Sequence, residues 1–139
     1  MRIVLDTGIL ISALITKSTP PDMLYQGWRK GLFDLVSSHE QLEEIERVLS
    51  YKKLERFIKR DEAQILLDGL YRMSDIQDQL PPIDLSPDPD DNIIIATAIA
   101  GKADYLVSGD KGDLLSLKSA ENIPIVTARQ MVKILNITE

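Results

Sequence analysis

The chain has 139 residues, of which 44% are hydrophobic, so residues 1–139 can bury the core of one domain. It has no cysteine, which excludes disulfides, zinc–thiolate sites and cysteine nucleophiles. Its formal net charge of −6 is unusual for a nucleic-acid-binding protein, but six of its 16 basic residues fall between Arg47 and Arg60. Neither a signal-peptide pattern nor a membrane-length apolar segment is present, so we expect a cytoplasmic protein.

The first half of the chain alternates between short apolar segments, which predict strands, and helical patterns. The turn-forming triplet Asp6-Thr7-Gly8 ends the first strand, and Gly31 ends the second helix. In chain order, the predicted elements are a strand at 3–5, a helix at 9–15, a helix at 23–30, a strand at 33–36 and a long helix capped by Ser37 or Ser38.

The second half continues the alternation around an irregular stretch at 75–87, in which Pro81-Pro82-Ile83 suggests at most an edge segment. In chain order, the predicted elements are a helical continuation at 53–58, a helix capped by Asp61 that runs to Met73, an apolar helix at 93–100 opened by Asp90-Asp91-Asn92, a strand at 104–108, a short helix at 114–117, a strand at 124–126 and a helix at 128–135. Strands that alternate with helices and lack polar alternation predict a mostly buried parallel sheet. We therefore predict an α/β fold with three layers, α/β/α.

Acidic residues stand where an open parallel sheet places its ligands, beyond the carboxyl ends of the strands. Asp6 directly follows the first strand, and Asp110 follows the strand at 104–108. Asp91 lies in the first turn of the apolar helix. Each of these residues alone has a simpler explanation as a turn former or a helix cap. Two strand-end acids at one edge of a sheet nevertheless predict a shared site.

The long helix adds a glutamate to this edge, with Glu43, Glu44 and Glu46 as candidates. Glu44 is four residues before Val48, at the border of the apolar stripe, whereas Glu43 and Glu46 look more solvent-facing. The periodicity favours Glu44 without excluding the other two. Asp113, three residues after Asp110, is a candidate fifth acid.

Carboxylates that face one another repel, and some of them would have to hold protons unless a cation lies between them. Mg²⁺ and Mn²⁺ prefer oxygen ligands and are held by a few carboxylates with water. Such an ion activates water and stabilises charge on a phosphodiester. We therefore predict a Mg²⁺ or Mn²⁺ site built from Asp6, Asp91, Asp110 and a glutamate of the long helix, for which Glu44 is the favoured candidate.

Four blocks of the sequence together resemble a known family. They are Val4-Leu5-Asp6-Thr7, the helix segment from Ser38 through Glu44-Ile45 to Val48-Leu49, Asp88-Pro89-Asp90-Asp91-Asn92 with the alanine-rich helix behind it, and Ala103 to Lys111. With these blocks the chain resembles PIN-domain proteins, in particular the VapC-like toxin ribonucleases of toxin–antitoxin pairs. The resemblance implies a PIN-like fold with a parallel, roughly five-stranded sheet, Mg²⁺- or Mn²⁺-dependent cleavage of RNA, and a small antitoxin protein as partner.

The resemblance also implies roles for individual residues. By position, Asp6, Glu44, Asp91 and Asp110 match the acidic quartet of the family, and Asp113 matches its variable fifth acid. Thr7 and Ser108 match hydroxyl residues that accompany the first and fourth acids. Gly8 departs from the common Asp-Thr-Asn pattern, and the loss of an orienting side chain beside a metal ligand typically costs about 10–100-fold in affinity or activity.

The basic stretch between the long helix and the next one predicts either an RNA contact or a solvated surface. If the stretch is helical, Lys52, Arg56 and Lys59 or Arg60 share one face beside the acidic cleft. In the second interpretation the basic face is only solvated, and the neighbouring acids Glu55, Asp61 and Glu62 balance its charge. The aromatic residues are predicted to lie in the core or to form helix–helix or subunit contacts, the latter in a homodimer, and not to act as base-stacking platforms. They are Tyr25, Trp28, Tyr51, Phe57 and Tyr71.

Two other functions are compatible with parts of this pattern. A catalytically weakened PIN domain that binds RNA or protein without cutting is suggested by Gly8. A phospho-acceptor receiver domain also pairs strand-end aspartates with a lysine such as Lys111. That fold needs an Asp after its middle strand, and Ser37-Ser38 follows the strand at 33–36 instead.

Overall fold

The computed structural model of the protein describes residues 1–109 and 113–137, with only the backbone described at Asp113. The strands are Arg2–Leu5 (β1), Asp34–Ser38 (β2), Asp75–Gln77 (β3), Tyr105–Val107 (β4), Ser119–Ala120 (β5) and Ile123–Val126 (β6). The helices are Thr7–Ile15 (α1), Pro20–Arg29 (α2), His39–Leu49 (α3), Arg60–Met73 (α4), Pro89–Ala100 (α5), Asp113–Leu117 (α6) and Ala128–Ile134 (α7). Within the described parts of the chain, none of the helices is long and apolar enough to cross a membrane.

The strands form one sheet in the order β3-β2-β1-β4-β6-β5. The pairs among β3, β2, β1, β4 and β6 are parallel, and only β5 runs antiparallel to β6. This confirms the α/β fold and the parallel sheet, which gains a sixth, two-residue strand at one edge. Glu121 and Asn122 join β5 to β6 with positive φ angles of 49° and 69°, as a tight two-residue hairpin turn requires.

Helices cover both faces of the sheet. On one face, Ile3 and Leu5 of β1 pack into a cluster formed with α1, α2, α3, α4 and α7. On the other face, Val4 packs into a cluster formed with α5 and α6. Because successive side chains of a strand point to opposite faces, β1 is buried on both sides, with exposed fractions of 0–1% at these three residues. The three-layer arrangement is thus observed.

Two predicted segments differ from the structure. Residues 53–58 do not continue as a helix: a 3₁₀ turn at Lys52–Leu54 is followed by further turns up to α4. The basic side chains between α3 and α4 therefore do not share one helical face. The edge strand β3 lies at Asp75–Gln77 and not at Pro81-Pro82-Ile83. Proline lacks the N–H that a ladder needs, whereas residues 75–77 can pair along β2.

Helix starts were predicted to within a few residues. α5 begins at Pro89 behind the N-cap Asp88, so Asp91 lies in its first turn as predicted. α4 begins one residue before Asp61, which lies in the first turn and is not the cap. α3 begins after Ser38, whose side chain accepts a hydrogen bond from the backbone N–H of Gln41.

The aromatic residues divide into two groups. Tyr25 and Trp28 are buried in the larger core cluster, as predicted, with ring centroids 5.9 Å apart. Tyr51, Phe57 and Tyr71 are exposed by 39%, 55% and 51%, so the expectation of a core position is wrong for them. Tyr71 of α4 does make a helix–helix contact, since its hydroxyl donates to Glu46 of α3. A subunit contact through these three residues stays a prediction.

Candidate active site

A cleft of about 400 Å³ opens at the carboxyl ends of β1 and β4. Parallel strands place ligand sites at this edge of the sheet. Acidic side chains from three elements line it, together with Thr7, Gly8, Ser12 and Ile94. These acids are Asp6 after β1, Glu44 of α3, and Asp88, Asp90 and Asp91 at the start of α5.

Asp6 is fixed at the floor of the cleft by both neighbouring strands. Its backbone N–H donates to the Val107 carbonyl at 2.9 Å, which continues the β1–β4 ladder by one bond. Oδ1 accepts from the backbone N–H of Ile9 at 2.9 Å and caps α1, while Oδ2 accepts from the Ser108 hydroxyl at 2.6 Å. Asp6 is only 8% exposed. The carboxylate is thus held in one orientation beside the end of β4, where Ser108 follows the last residue of the strand.

Helix α3 is attached to the same sheet edge by Gln41, which is 1% exposed. Its side-chain amide donates to the Leu5 carbonyl at 2.7 Å, and its Oε1 accepts from the Ser37 hydroxyl at 2.6 Å. On the other side, the Ser38 hydroxyl lies 2.8 Å from the Thr97 hydroxyl of α5. These buried bonds fix where α3 begins, and Glu44 follows three residues after Gln41.

Glu44 is the glutamate of α3 that reaches the cleft, whereas Glu43 and Glu46 are exposed. The Thr7 hydroxyl donates to Glu44 Oε1, and Arg47 Nη2 lies 4.0 Å from Oε2. Burial raises the pKa of Glu44, and the nearby Asp90 carboxylate raises it further, against the lowering effects of Thr7 and Arg47. Arg47 also lies 3.8 Å from Asp90 Oδ2. A bound cation would instead favour the charged form of Glu44.

Asp91 is held by the loop before α5. The buried Ser86 hydroxyl donates to Asp91 Oδ2 at 3.1 Å and accepts from the backbone N–H of Asp88 at 3.2 Å. The Asn92 side chain closes the same loop: its Oδ1 accepts from the N–H groups of Leu85 and Ser86 at 3.0 and 2.8 Å, and its Nδ2 donates to the Ser86 carbonyl at 2.8 Å. The loop is therefore ordered around Ser86, so Asp91, 9% exposed, has a fixed position.

The predicted site residues fall into three groups: those that line one cleft or bond to it, those that lie outside the described residues, and basic residues that lie away from the cleft. Asp6, Glu44 and Asp91 line one cleft, with Thr7 and Ser108 bonded to two of them. Asp110 and the side chain of Asp113 lie outside the described residues. Lys52, Arg56, Lys59 and Arg60 are exposed on the segment that joins α3 to α4, and among the described residues none of them lines the cleft.

The donors of the cleft fit a hard divalent cation in kind, since they are carboxylate and hydroxyl oxygens. Among residues 1–109 and 113–137, no three His, Asp or Glu side chains are already arranged to hold a metal ion. The residues that would hold one are Asp6, Glu44 and Asp91, with Asp110 as the predicted fourth.

Four supporting residues were not predicted to belong to the site: Gln41 and Ser86, and also Asp90 and Asn92, which were named only as part of the segment that opens α5. Ser86 had a recognisable signal, because a serine two residues before an Asp-Pro helix start forms a turn of this kind. Gln41 had no local signal, since its partner Leu5 is 36 residues away.

Comparison with known proteins agrees with this fold. A sequence model of the PIN domain matches residues 2–112, and no curated protein matches the chain. One similar solved chain comes from the crystal structure of VapBC2 from Rickettsia felis bound to a DNA fragment from their promoter. The two chains are 21% identical with a TM-score of 0.57, over 91% of this chain and 98% of that one. The chain belongs to the PIN-domain family.

Proposed function

We propose that this protein is a metal-dependent endoribonuclease whose acidic residues are Asp6, Glu44, Asp91 and Asp110. The observation that carries the proposal is the convergence of three of these carboxylates, from β1, α3 and α5, on one cleft. Family membership supports a nuclease activity, and the carboxylate chemistry supports Mg²⁺ or Mn²⁺ as the cofactor.

In the proposed reaction, a bound Mg²⁺ or Mn²⁺ would lower the pKa of a water molecule and stabilise charge on the cleaved phosphodiester. The protein's own groups fix the ligands. Ser108 and the Ile9 N–H hold both oxygens of Asp6, Thr7 holds Glu44, and Ser86 holds Asp91. Such bonds to ligating side chains fix their orientation before substrate arrives.

We further propose that the protein is the toxin of a toxin–antitoxin pair, with a small antitoxin protein as partner. Support comes from the fold that it shares with a chain of VapBC2, a complex bound to its own promoter DNA. A cytoplasmic location and a homodimer belong to the same proposal.

The proposal is tested by cleavage of labelled RNA with Mn²⁺ or Mg²⁺ and with EDTA. We expect cleavage only with metal, and a reduction on the order of 100-fold or more in Asp91→Asn, because this change removes one charged ligand while keeping the shape of the side chain. Asp34→Asn is the matched control: Asp34 is exposed at the beginning of β2, at the opposite edge of the sheet. It should cleave like the unmodified protein.

Equal cleavage by the unmodified protein and Asp91→Asn would contradict the proposal. Cleavage that persists unchanged in EDTA would contradict the metal dependence.

A second candidate is a weakened PIN domain that binds RNA or protein without cutting. Gly8 favours it, since it lines the cleft where the family commonly has asparagine. A Cβ at Gly8 would lie 3.5 Å from Asp6 Oδ1, an ordinary contact, so a side chain fits there.

We expect Gly8→Asn to fold and to bind Mn²⁺ about 10–100-fold more tightly, because its amide would orient the Asp6 carboxylate. Gly8→Ala is the control for helix propensity, which alone stabilises by up to about 1 kcal/mol. The measurement is the rise of Tm with Mn²⁺ concentration in each protein. Equal metal dependence in Gly8→Asn and Gly8→Ala would show that the missing side chain is not what limits the site. No rise of Tm in the unmodified protein up to millimolar Mn²⁺ would favour the second candidate.

A further inference from the structure

The segment of residues 51–60, which runs from the end of α3 to the first residue of α4, exposes aromatic rings that nothing in the described fold covers. Phe57 is 55% exposed and Tyr51 is 39% exposed. Large apolar side chains at an exposed turn lose the benefit of burial, so a cluster of them often marks a binding surface. The exposed rings are therefore the first indication of a ligand.

The same segment is strongly basic in an acidic protein. Five basic residues and one acidic residue give residues 51–60 a formal charge of +4, against −6 for the whole chain. The Arg56 guanidinium carbon lies 5.5 Å from the centre of the Phe57 ring, and Lys53 Nζ lies 5.7 Å from the centre of the Tyr51 ring. Each exposed ring thus has a cation beside it.

The segment is ordered by its own bonds and anchors. Backbone N–H groups of Leu54, Phe57 and Ile58 donate to the carbonyls of Tyr51 and Leu54 at 3.0–3.1 Å. Leu54 is half-buried, and Ile58 packs against the larger core cluster. The rings and cations are thus carried on a fixed turn, which lowers the entropy cost of binding.

The segment follows α3, the helix that carries Glu44 of the acidic cleft. Glu44 in the cleft and Tyr51 are seven residues apart along α3 and its end, which corresponds to about 10 Å of helix. Arg47 lies between them and reaches Glu44 and Asp90. A strand of nucleic acid that passes through the cleft can therefore continue onto the 51–60 segment.

We propose that the 51–60 segment is a platform for single-stranded RNA, in which Tyr51 and Phe57 stack on bases and Lys52, Lys53 and Arg56 contact the phosphates. Rings give sequence-tolerant stacking, and basic side chains follow the backbone; together they are the elements of a single-strand groove. The proposal rests on the proposed function, since it takes RNA as the substrate class and assigns how RNA is held outside the cleft.

Charge favours RNA over a second copy of this chain on this surface. In a twofold dimer whose axis passes through this segment, the +4 segments of the two copies would face each other and repel. A polyanion with exposed bases has both the charge and the flat faces that the segment complements.

The test uses the full chain with Asp6→Asn, in EDTA, so that RNA is bound and not cut. Fluorescence anisotropy measures the Kd for a fluorescein-labelled single-stranded RNA. We expect Phe57→Ala and Tyr51→Ala each to weaken binding by roughly 5- to 150-fold, the range for loss of one base stack. Phe57→Trp keeps a ring and should bind like the parent. Tyr71→Ala, which removes an exposed ring of α4 outside the segment, is the matched control and should also bind like the parent.

The salt dependence separates stacking from charge. The slope of log Kd against log salt should be unchanged in Phe57→Ala and smaller by about 0.7 in Lys52→Ala or Lys53→Ala, because only the lysines release counterions from single strands. An abasic strand of equal length should bind Phe57→Ala and the parent alike. Melting curves of each variant confirm that it is folded.

The proposal is overturned if folded Phe57→Ala and Phe57→Trp bind RNA equally well, if the parent binds no RNA, or if Phe57→Ala instead dissociates a dimer or abolishes binding of an acidic protein partner. These outcomes are separate from those of the proposed function. RNA binding that depends on Phe57 in a protein that cleaves nothing would support the platform and contradict the nuclease. Metal-dependent cleavage together with RNA binding that does not depend on Phe57 would support the nuclease and contradict the platform.

Discussion

Asp6→Asn is expected to lower RNA cleavage by on the order of 100-fold or more while the free energy of unfolding changes by less than about 1 kcal/mol. Asparagine is as good an N-cap as aspartate, so its Oδ1 can still accept from the Ile9 N–H. Ser108 can accept from the new amide, since a hydroxyl both donates and accepts. Asp6→Asn therefore removes only the negative charge that would bind a metal ion.

Asp6→Ala is the informative comparison. It removes the cap of α1 along with the charge and should cost about 1 kcal/mol of stability beyond Asp6→Asn. Urea unfolding in EDTA measures the stability, and cleavage with Mn²⁺ measures the activity. If Asp6→Asn cleaved at the parent rate, Asp6 would be a cap of α1 and not a metal ligand.

Glu44→Gln is expected to change stability and activity in opposite directions. Without metal, burial and the neighbouring Asp90 disfavour the charged form of Glu44, which is 17% exposed. Glutamine removes this charge and can still accept from Thr7, so we expect stabilisation of about 0.5–1 kcal/mol, or roughly 1–4 °C in Tm. Cleavage with Mn²⁺ should fall by on the order of 100-fold. Glu43→Gln, at an exposed position of the same helix, is the control and should change neither the stability nor the rate of cleavage.

The pH dependence follows from the raised pKa of Glu44. In the folded protein this carboxyl keeps its proton above its ordinary value of 4.5, so the folded state binds more protons than the unfolded state just above that pH. Its contribution to stability is therefore complete at lower pH and is lost as the pH rises through the raised pKa. The Tm advantage of Glu44→Gln in EDTA should accordingly grow as the pH rises from 4 to 7. A constant difference over that range would show that Glu44 titrates like an exposed glutamate.

Much of the fold was predicted because strand ends, helix caps and apolar periodicity each depend on only a few neighbouring residues. The run Arg2–Leu5 ends at Asp6, and Asp88-Pro89 places a cap and a proline where a helix begins. Apolar periodicity predicted α3 and favoured Glu44, on the border of its buried stripe, over Glu43 and Glu46, and Glu44 does line the cleft. These features follow from strand and helix geometry alone.

The turn between α3 and α4 shows where local signals fail. A helical continuation was predicted over 53–58, where Leu54 and Ile58 have helical spacing. The chain must instead turn there, because α4 returns to pack beside α3, and Tyr71 of α4 donates to Glu46 of α3. Tertiary packing therefore overrides propensity, and it exposes Tyr51 and Phe57, which the sequence placed in the core or in contacts.

By itself, the sequence determined the α/β alternation, the strand-end position of Asp6 and the family. Only the tertiary structure decided how Asp6, Glu44 and Asp91 meet. The bond from Ser108 to Asp6 joins residues 102 apart, and the one from Thr7 to Glu44 joins residues 37 apart. Such pairs depend on the order of strands in the sheet and on the buried Gln41 that attaches α3 to β1. Neither the two-residue period of strands nor the 3.6-residue period of helices predicts which distant residues meet, because those pairings form only when the layers pack.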